Sequence, residues 1–186
     1  MKRKTTKEIL AESFRELAQE KPVDGITVRE IIENCDYSNA TFYRHFHDKY
    51  ELIAWEYSQR VAAIMSRVGK NGYSWKQTLL DGALMFQRER DYLANLLQHT
   101  SGHDAFIRYW ADINYNALRQ LILKTCDIDE VLDAVLRIYV LGTVNLSCEW
   151  ILGNSALSPE ALAECYMQAL PQSLRQYLVP NERKPL

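Results

Sequence analysis

The sequence predicts an all-α protein of about nine helices, with a small N-terminal helix-turn-helix unit and a larger helical C-terminal region. Three observations carry this expectation. Only seven Gly and five Pro interrupt 186 residues. Apolar residues recur at helical spacing along most of the chain. Helix-start signals stand where the stripes begin, as in Thr27-Val28-Arg29-Glu30 and Ser158-Pro159-Glu160.

The first helix is expected from about Thr6 to Gln19, with Ile9, Leu10, Phe14, Leu17 and Ala18 as its apolar stripe. Pro22 and the Asp24-Gly25 turn end it. Thr27 caps a short second helix to about Asn34, Glu30 completing a capping box while Val28, Ile31 and Ile32 point inward. After the break "NCDY", Ser38 caps a third helix that ends near His45. A fourth starts at Asp48 and continues to about Val68, leaving the N-terminal unit without a flexible linker. Three short helices with a tight turn between the second and third form the helix-turn-helix arrangement. Beyond "GKNGYS", periodicity gives helices over about Trp75–Arg88, Asp91–Gln98, Asp104–Thr125, Ile128–Leu152 and Pro159–Leu178. The tail "VPNERKPL" is expected to fray. The expected division places the helix-turn-helix unit in residues 1–50, the helix 48–68 as connector, and the larger region in 51–186.

With 47% apolar and 25% charged residues, the composition is that of an ordinary soluble globular protein. Apolar runs such as "VLGTVNL" fall short of a membrane span. The N-terminus enters a helical pattern with no apolar signal core, so a cytoplasmic location is expected. Cys35, Cys126, Cys148 and Cys165 are scattered without CxxC spacing and read as reduced thiols. Net charge is -2, and residues 1–60 hold ten Lys+Arg against eleven Asp+Glu. Where the charges sit matters more than their sum. Lys2, Arg3, Lys4 and Lys7 cluster, as do Arg44 and Lys49. Glu8, Glu12, Glu16 and Glu20 recur on one helical face and can point away.

The stretch "YSNATFYRHFHDKYEL" carries the chemistry. On a helical wheel of about 100° per residue, Phe42, Phe46, His45 and Ser38 share the face packed on the other two helices. Ala40, Arg44 and His47 point the opposite way, with Thr41 and Tyr43 flanking them. Asn39 lies nearer the packed side, in the first turn. A major groove admits such a helix; Arg suits guanine, Asn adenine, and Thr or Ala a thymine methyl. Lys49, at the fourth helix's N-terminus, could share a phosphate with unsatisfied backbone N–H groups. Thr27 and Arg29 could hold another. The wheel alone leaves open an aromatic-rich capped helix in which Tyr43 and the histidines merely cover apolar surface.

The segment "ITVREIIENCDYSNATFYRHFHDKYELIAW" resembles the DNA-binding domain of the tetracycline-repressor (TetR) family over about residues 6–55. The matching positions are Thr27, Ser38, Ala40, Thr41, Phe42, Tyr43, His45, Phe46, Lys49 and Leu52. The resemblance implies that Thr27, Ser38, Thr41, Tyr43 and Lys49 touch DNA, mainly phosphates, while Asn39, Ala40 and Arg44 read bases. Two positions depart from the pattern. Asp36 stands where a turn glycine is common, a residue that tolerates the left-handed conformation at modest cost. Ala40 stands where the recognition helix commonly has Gly.

For the remainder, the resemblance implies dimerisation through the last two helices, often around a ligand cavity. The helix 128–152 is apolar nearly all round, as expected of a helix buried on more than one side. Val135, Tyr139, Gly142, Leu146, Trp150, Leu162, Tyr166, Ala169 and Leu170 are the expected dimer contacts. A two-fold dimer also suits a palindromic operator. Phe86, Tyr92, Leu96, Phe106, Trp110 and Ile113 could line an effector pocket, although such residues at helical spacing more often form solid core. The segment "LGTVNLSCEWILGNSALSPEALAE" resembles a TetR subgroup that includes regulators of dihydroxyacetone kinase operons, some of them activators working through a partner protein. The expected partners are thus double-stranded DNA, a second copy of the chain, and either a small-molecule effector or a protein coregulator. His99 and His103 lack a completing ligand, so no metal is expected, nor any cofactor. No nucleophile, phosphate-loop or paired-carboxylate motif stands out, so no enzyme is expected.

Overall fold

The computed structural model describes residues 3–100 and 103–179, with residues 103–105 described by backbone alone. The all-α expectation holds: ten α-helices and no strand occur among the described residues. They are α1 (Thr6–Glu20), α2 (Val28–Asn34), α3 (Asn39–Tyr43), α4 (Lys49–Met65), α5 (Trp75–Arg88), α6 (Arg90–His99), α7 (His103–Ile122), α8 (Glu130–Ile151), α9 (Pro159–Gln168) and α10 (Gln172–Leu178), with a short 3-10 turn at Val23–Gly25 between α1 and α2. The expected single helix from Pro159 to Leu178 is therefore two. Pro171 has no N–H to give, and its ring would clash with the carbonyl of Met167. That carbonyl is satisfied instead by the Leu170 N–H at 3.3 Å and Arg175 Nη2 at 2.8 Å. The tail from residue 180 lies outside the described residues.

The chain forms two compact units, residues 1–60 with 89–109, and residues 61–88 with 110–186. In the first, α1, α2, α3, the start of α4 and α6 close around Leu10, Phe14, Ile31, Phe42, Phe46, Leu52, Leu96 and Leu97, all at most 2% exposed. Each such side chain contributes about 1.5–3 kcal/mol by leaving water. Ser13, buried in α1, donates to the Ile31 carbonyl at 2.6 Å and accepts from Asn34 Nδ2 at 3.1 Å, tying α1 to α2. A polar network joins α1, α4 and the residue before α6: Arg15 meets Glu56 at 2.9 Å and Glu89 at 3.3 Å, and Arg60 pairs with both acids. Tyr92 donates to Glu56 at 3.1 Å and stands edge-on to Phe14.

In the second unit α5 packs along α9, and the Phe86 and Trp110 rings meet edge to face at 5.2 Å. A buried polar chain crosses from α8 to α9. The Tyr139 hydroxyl donates to the Tyr166 carbonyl at 3.1 Å, and the Tyr166 and Ser147 hydroxyls lie 2.6 Å apart. Ser158 caps α9, with Pro159 in the first helical position, as the sequence predicts. α8 meets the length and composition of a membrane-crossing helix, which the short apolar runs did not reveal because charged residues interrupt them. It buries Leu136, Tyr139, Val140, Val144, Cys148, Trp150 and Ile151 in the chain's own core, while Val131, Ile138 and Leu141 stay exposed. All four cysteines are free thiols, and burial pushes the Cys148 thiol up to about 12.

Candidate nucleic-acid interface

The turn between α2 and α3 is built by Cys35, Asp36 and Tyr37. The Tyr37 N–H returns to the Ile32 carbonyl at 2.9 Å, which requires Asp36 to sit in the left-handed region at φ 57. An Asp adopts this conformation more readily than most non-glycine residues. Ser38 then caps α3: its Oγ accepts from the Thr41 N–H at 3.2 Å and lies 3.0 Å from the Thr41 hydroxyl. α3 is short, and two aromatic anchors hold it. Phe42 is fully buried and Phe46 nearly so, their rings 5.9 Å apart.

Ala40, Tyr43 and Arg44 face outward as the wheel predicts. Ser38, expected on the packed face, and Asn39, expected nearer to it, are instead exposed, because Ser38 is the extended cap ahead of α3 and Asn39 opens its first turn. Ser38, Asn39, Ala40, Tyr43 and Arg44 are exposed and Thr41 is half-buried. Tyr43 is 59% exposed, its ring edge-on to Phe42 at 5.4 Å, so the phenol is aimed by the anchor beneath it. His45 is half-buried on the packed side, and the His47 side chain is 93% exposed beside Asp48.

The flanking positions differ among themselves. Thr27 caps α2 in the predicted capping box: the Glu30 N–H donates to Thr27 Oγ1 at 3.2 Å, and the Thr27 N–H to Glu30 Oε2 at 2.8 Å. Hydrogen bonding from Lys21, reinforced by both Thr27 donors, holds the Glu30 carboxyl down to about 2. Arg29 pairs with Glu33 at 2.7 Å with both side chains largely exposed. Such a pair is worth little and exchanges easily for a phosphate. Lys49 does not extend into solvent. Its Nζ donates to the carbonyls of Val23, Asp24 and Ile26 at 2.8, 3.0 and 2.8 Å. An ammonium has three N–H groups, and all three are used. Burial pushes it below the ordinary lysine range.

Two neighbours complete the surroundings: Lys7, seen in the sequence only as a member of the N-terminal basic cluster, and Asn95, which the sequence does not single out. Lys7 lies over the Phe46 and Trp55 rings, 5.1 and 5.6 Å from their centroids. Asn95 of α6 reaches the end of α1, and with more than seventy residues between partners no local pattern signals it.

Of the expected pocket residues, Tyr92, Leu96 and Phe106 are buried in the first unit, Phe86 and Trp110 are buried in the second, and Ile113 there is half-buried. Of the expected dimer contacts, Tyr139, Trp150, Leu162, Tyr166 and Leu170 are buried within the chain. Val135 and Leu146 are half-buried, and Gly142 and Ala169 are exposed. Among the described residues no cluster of His, Cys, Asp and Glu could hold a metal ion, and the His103 side chain lies outside them.

An exposed, capped recognition helix behind a left-handed turn, clamped from below by two phenylalanines, defines a helix-turn-helix DNA-binding protein. Residues 9–54 match the family model of bacterial regulatory proteins, tetR family. Over these residues the chain carries the DNA-binding segment of the TetR family of transcription regulators. Over 75 residues it is 28% identical to the HTH-type dhaKLM operon transcriptional activator DhaS of Lactococcus lactis, a match spanning 40% of each chain. Among solved structures, a dihydroxyacetone kinase operon activator DhaS aligns with a TM-score of 0.59 at 20% identity, over 92% of this chain and 96% of that one. Thermus thermophilus FadR, a TetR-family repressor solved in complex with lauroyl-CoA, gives 0.62 at 18% identity over 97% and 99%. At these identities the structural likeness shows the fold alone.

Proposed function

We propose that the protein binds a palindromic operator as a homodimer, placing the α3 of each subunit in the major groove, and that a small-molecule effector acting on the C-terminal region modulates this binding. The observation that carries the proposal is the division of labour on α3: Phe42 and Phe46 are buried while Asn39, Ala40, Tyr43 and Arg44 are exposed together. Asn39, Ala40 and Arg44 read bases; Thr27, Arg29, Ser38, Thr41, Tyr43 and His47 serve the backbone. Residues 1–50 then form the DNA-binding domain, α4 the connector, and residues 51–186 the dimerisation and effector or partner domain. The exposed apolar face of α8 supports the dimer. Val131 and Ile138 stand seven apart at 73% and 71% exposure, and a Cβ added at Gly142 nearby would meet open space. The work is regulatory rather than enzymatic, and its place is the cytoplasm. The effector is supported by the lauroyl-CoA found in the FadR structure.

A second reading replaces the small molecule with a protein coregulator and makes the protein an activator. Two findings favour it: the DhaS relative is named an operon activator, and Phe86 and Trp110, expected to line a pocket, are packed ring against ring.

Genome-wide mapping of bound sites, followed by retardation of the recovered fragments, tests the proposal. The expected motif is a palindrome with half-sites about 34–36 Å apart, one helical turn or a multiple of it, and affinity should fall steeply with salt. Failure to retard any promoter fragment at low salt, including the region upstream of its own gene, would overturn it. Release by a metabolite extract favours the effector; recovery of a stoichiometric protein favours the coregulator.

A further inference from the structure

The short connection between α1 and α2 is gripped from both sides by polar side chains whose hydrogen-bonding capacity is nearly used up. Asn95 of α6 donates Nδ2 to the carbonyls of Ala18 at 2.8 Å and Lys21 at 3.0 Å, and its Oδ1 accepts from the Val23 N–H at 3.1 Å. The two carbonyls are the kind a helix end leaves without an intrahelical partner. From the opposite element, Lys49 of α4 takes the carbonyls of Val23, Asp24 and Ile26. The turn closes on itself through Gly25 N–H to Pro22 at 3.0 Å and Ile26 N–H to Val23 at 3.1 Å. Its apolar members Val23 and Ile26 are at most 1% exposed. The next residue along the chain is Thr27, the cap of α2.

We propose that Asn95 and Lys49 are positioning residues for DNA binding: they fix the turn that delivers Thr27 and the start of α2 to the phosphate backbone, and Lys49 is not itself a phosphate contact. This rests on the DNA-binding function proposed above. A phosphate role would require the ammonium to abandon three carbonyls, two of them on the buried residues Val23 and Ile26, and a buried polar group left unpaired costs about 1–3 kcal/mol. The assignment also explains why a side chain on α6, far from the recognition helix in sequence, belongs to the DNA-reading unit. A shift of α6 would reach Thr27 through one amide group.

The test uses the full chain and a duplex that the wild-type protein selects from a random pool. Lys49→Met, which keeps the aliphatic stem and loses the three N–H groups, is expected to weaken binding about tenfold while leaving the slope of log affinity against log salt unchanged. Loss of a phosphate contact would instead reduce that slope by about one, and that result would overturn the assignment of Lys49. Asn95→Leu is expected to weaken binding by a similar factor in wild type and by much less in a Thr27→Ala background, because Asn95 acts through Thr27. Additive losses, or no loss at all, would overturn the assignment of Asn95. Amide hydrogen exchange on the DNA-free protein gives an independent readout: both variants should speed exchange at Val23, Ile26 and Glu30. Unchanged exchange refutes the joint even if DNA binding is lost. Absence of any duplex selected by the wild type would refute the DNA-binding proposal, leaving exchange to judge the joint alone.

Discussion

Arg15 Nη1 lies 2.9 Å from Glu56 Oε1, and the pair joins α1 to α4 with only 24% and 12% of the two side chains exposed. Burial pushes the Glu56 carboxyl above the usual carboxylate range despite Arg15 and the Tyr92 hydroxyl beside it. Desolvation therefore outweighs the attraction there, as is common for buried pairs. Glu56→Ala leaves Arg15 and Arg60 with Glu89 as their one remaining acid in this network and should cost about 1–3 kcal/mol in chemical denaturation. Replacing both partners by apolar residues, Arg15→Met with Glu56→Leu, should recover most of that loss. Losses that simply add would mean the two side chains do not act as a pair.

Asp36 holds φ 57 in the tight turn. Asp36→Gly should leave stability unchanged or raise it by under about 1 kcal/mol, release of strain being offset by the freer unfolded chain. Asp36→Val should cost about 1–2 kcal/mol, since a β-branched residue fits the left-handed region poorly. Thermal unfolding of the two variants decides the order.

Glu30 sets a pH dependence. A carboxyl held low in the folded state stabilises that state when ionised. Its contribution is present above the ordinary value near 4.5 and lost as pH falls toward about 2. The stability difference between wild type and Glu30→Gln should be full near neutrality and shrink through that window. A difference that stayed constant down to the lower limit would show that the carboxylate's charge is not what stabilises.

At the recognition helix, Arg44→Ala should relax preference at one position of each half-site by about 1–3 kcal/mol. Tyr43→Phe should weaken binding to all sequences evenly, because phosphates carry no sequence information. Competition among singly substituted duplexes separates the two, and a uniform loss for Arg44→Ala would make it another backbone contact.

On α8, Ile138→Glu places a charge where a 71% exposed isoleucine stands. Sedimentation should show a monomer whose helix content is unchanged. A variant that remains dimeric would move the interface elsewhere.

Where a signal is local, the sequence showed it. The Thr27–Glu30 capping box, the Ser38 cap, the left-handed Asp36 and the inward Phe42 and Phe46 each depend on neighbours within a few residues, and each is found in the structure. Pro171 was equally local; the apolar stripe running from Leu162 through Tyr166 and Leu170 simply masked its effect. The rest depends on distant partners. Position alone makes Lys49 a phosphate ligand, because the three carbonyls it serves lie more than twenty residues back. Asn95 reads as an ordinary polar residue beside Leu96 and Leu97 until α6 is seen against α1. For Tyr139 and Tyr166, periodicity identifies an apolar face without saying whether the same chain or another one covers it.

The compact unit that carries the recognition helix is assembled from two separate stretches of chain, residues 1–60 and 89–109. Transplanting only the contiguous N-terminal stretch onto another regulator would expose the Ala18 and Lys21 carbonyls and the Val23 N–H, and would strip Glu56 of its Tyr92 donor. A chimera that swaps operator specificity would have to carry α6 along with the recognition helix. Evolutionary recombination faces the same constraint: a breakpoint just after the matched segment 9–54 would part the reading head from a helix it relies on.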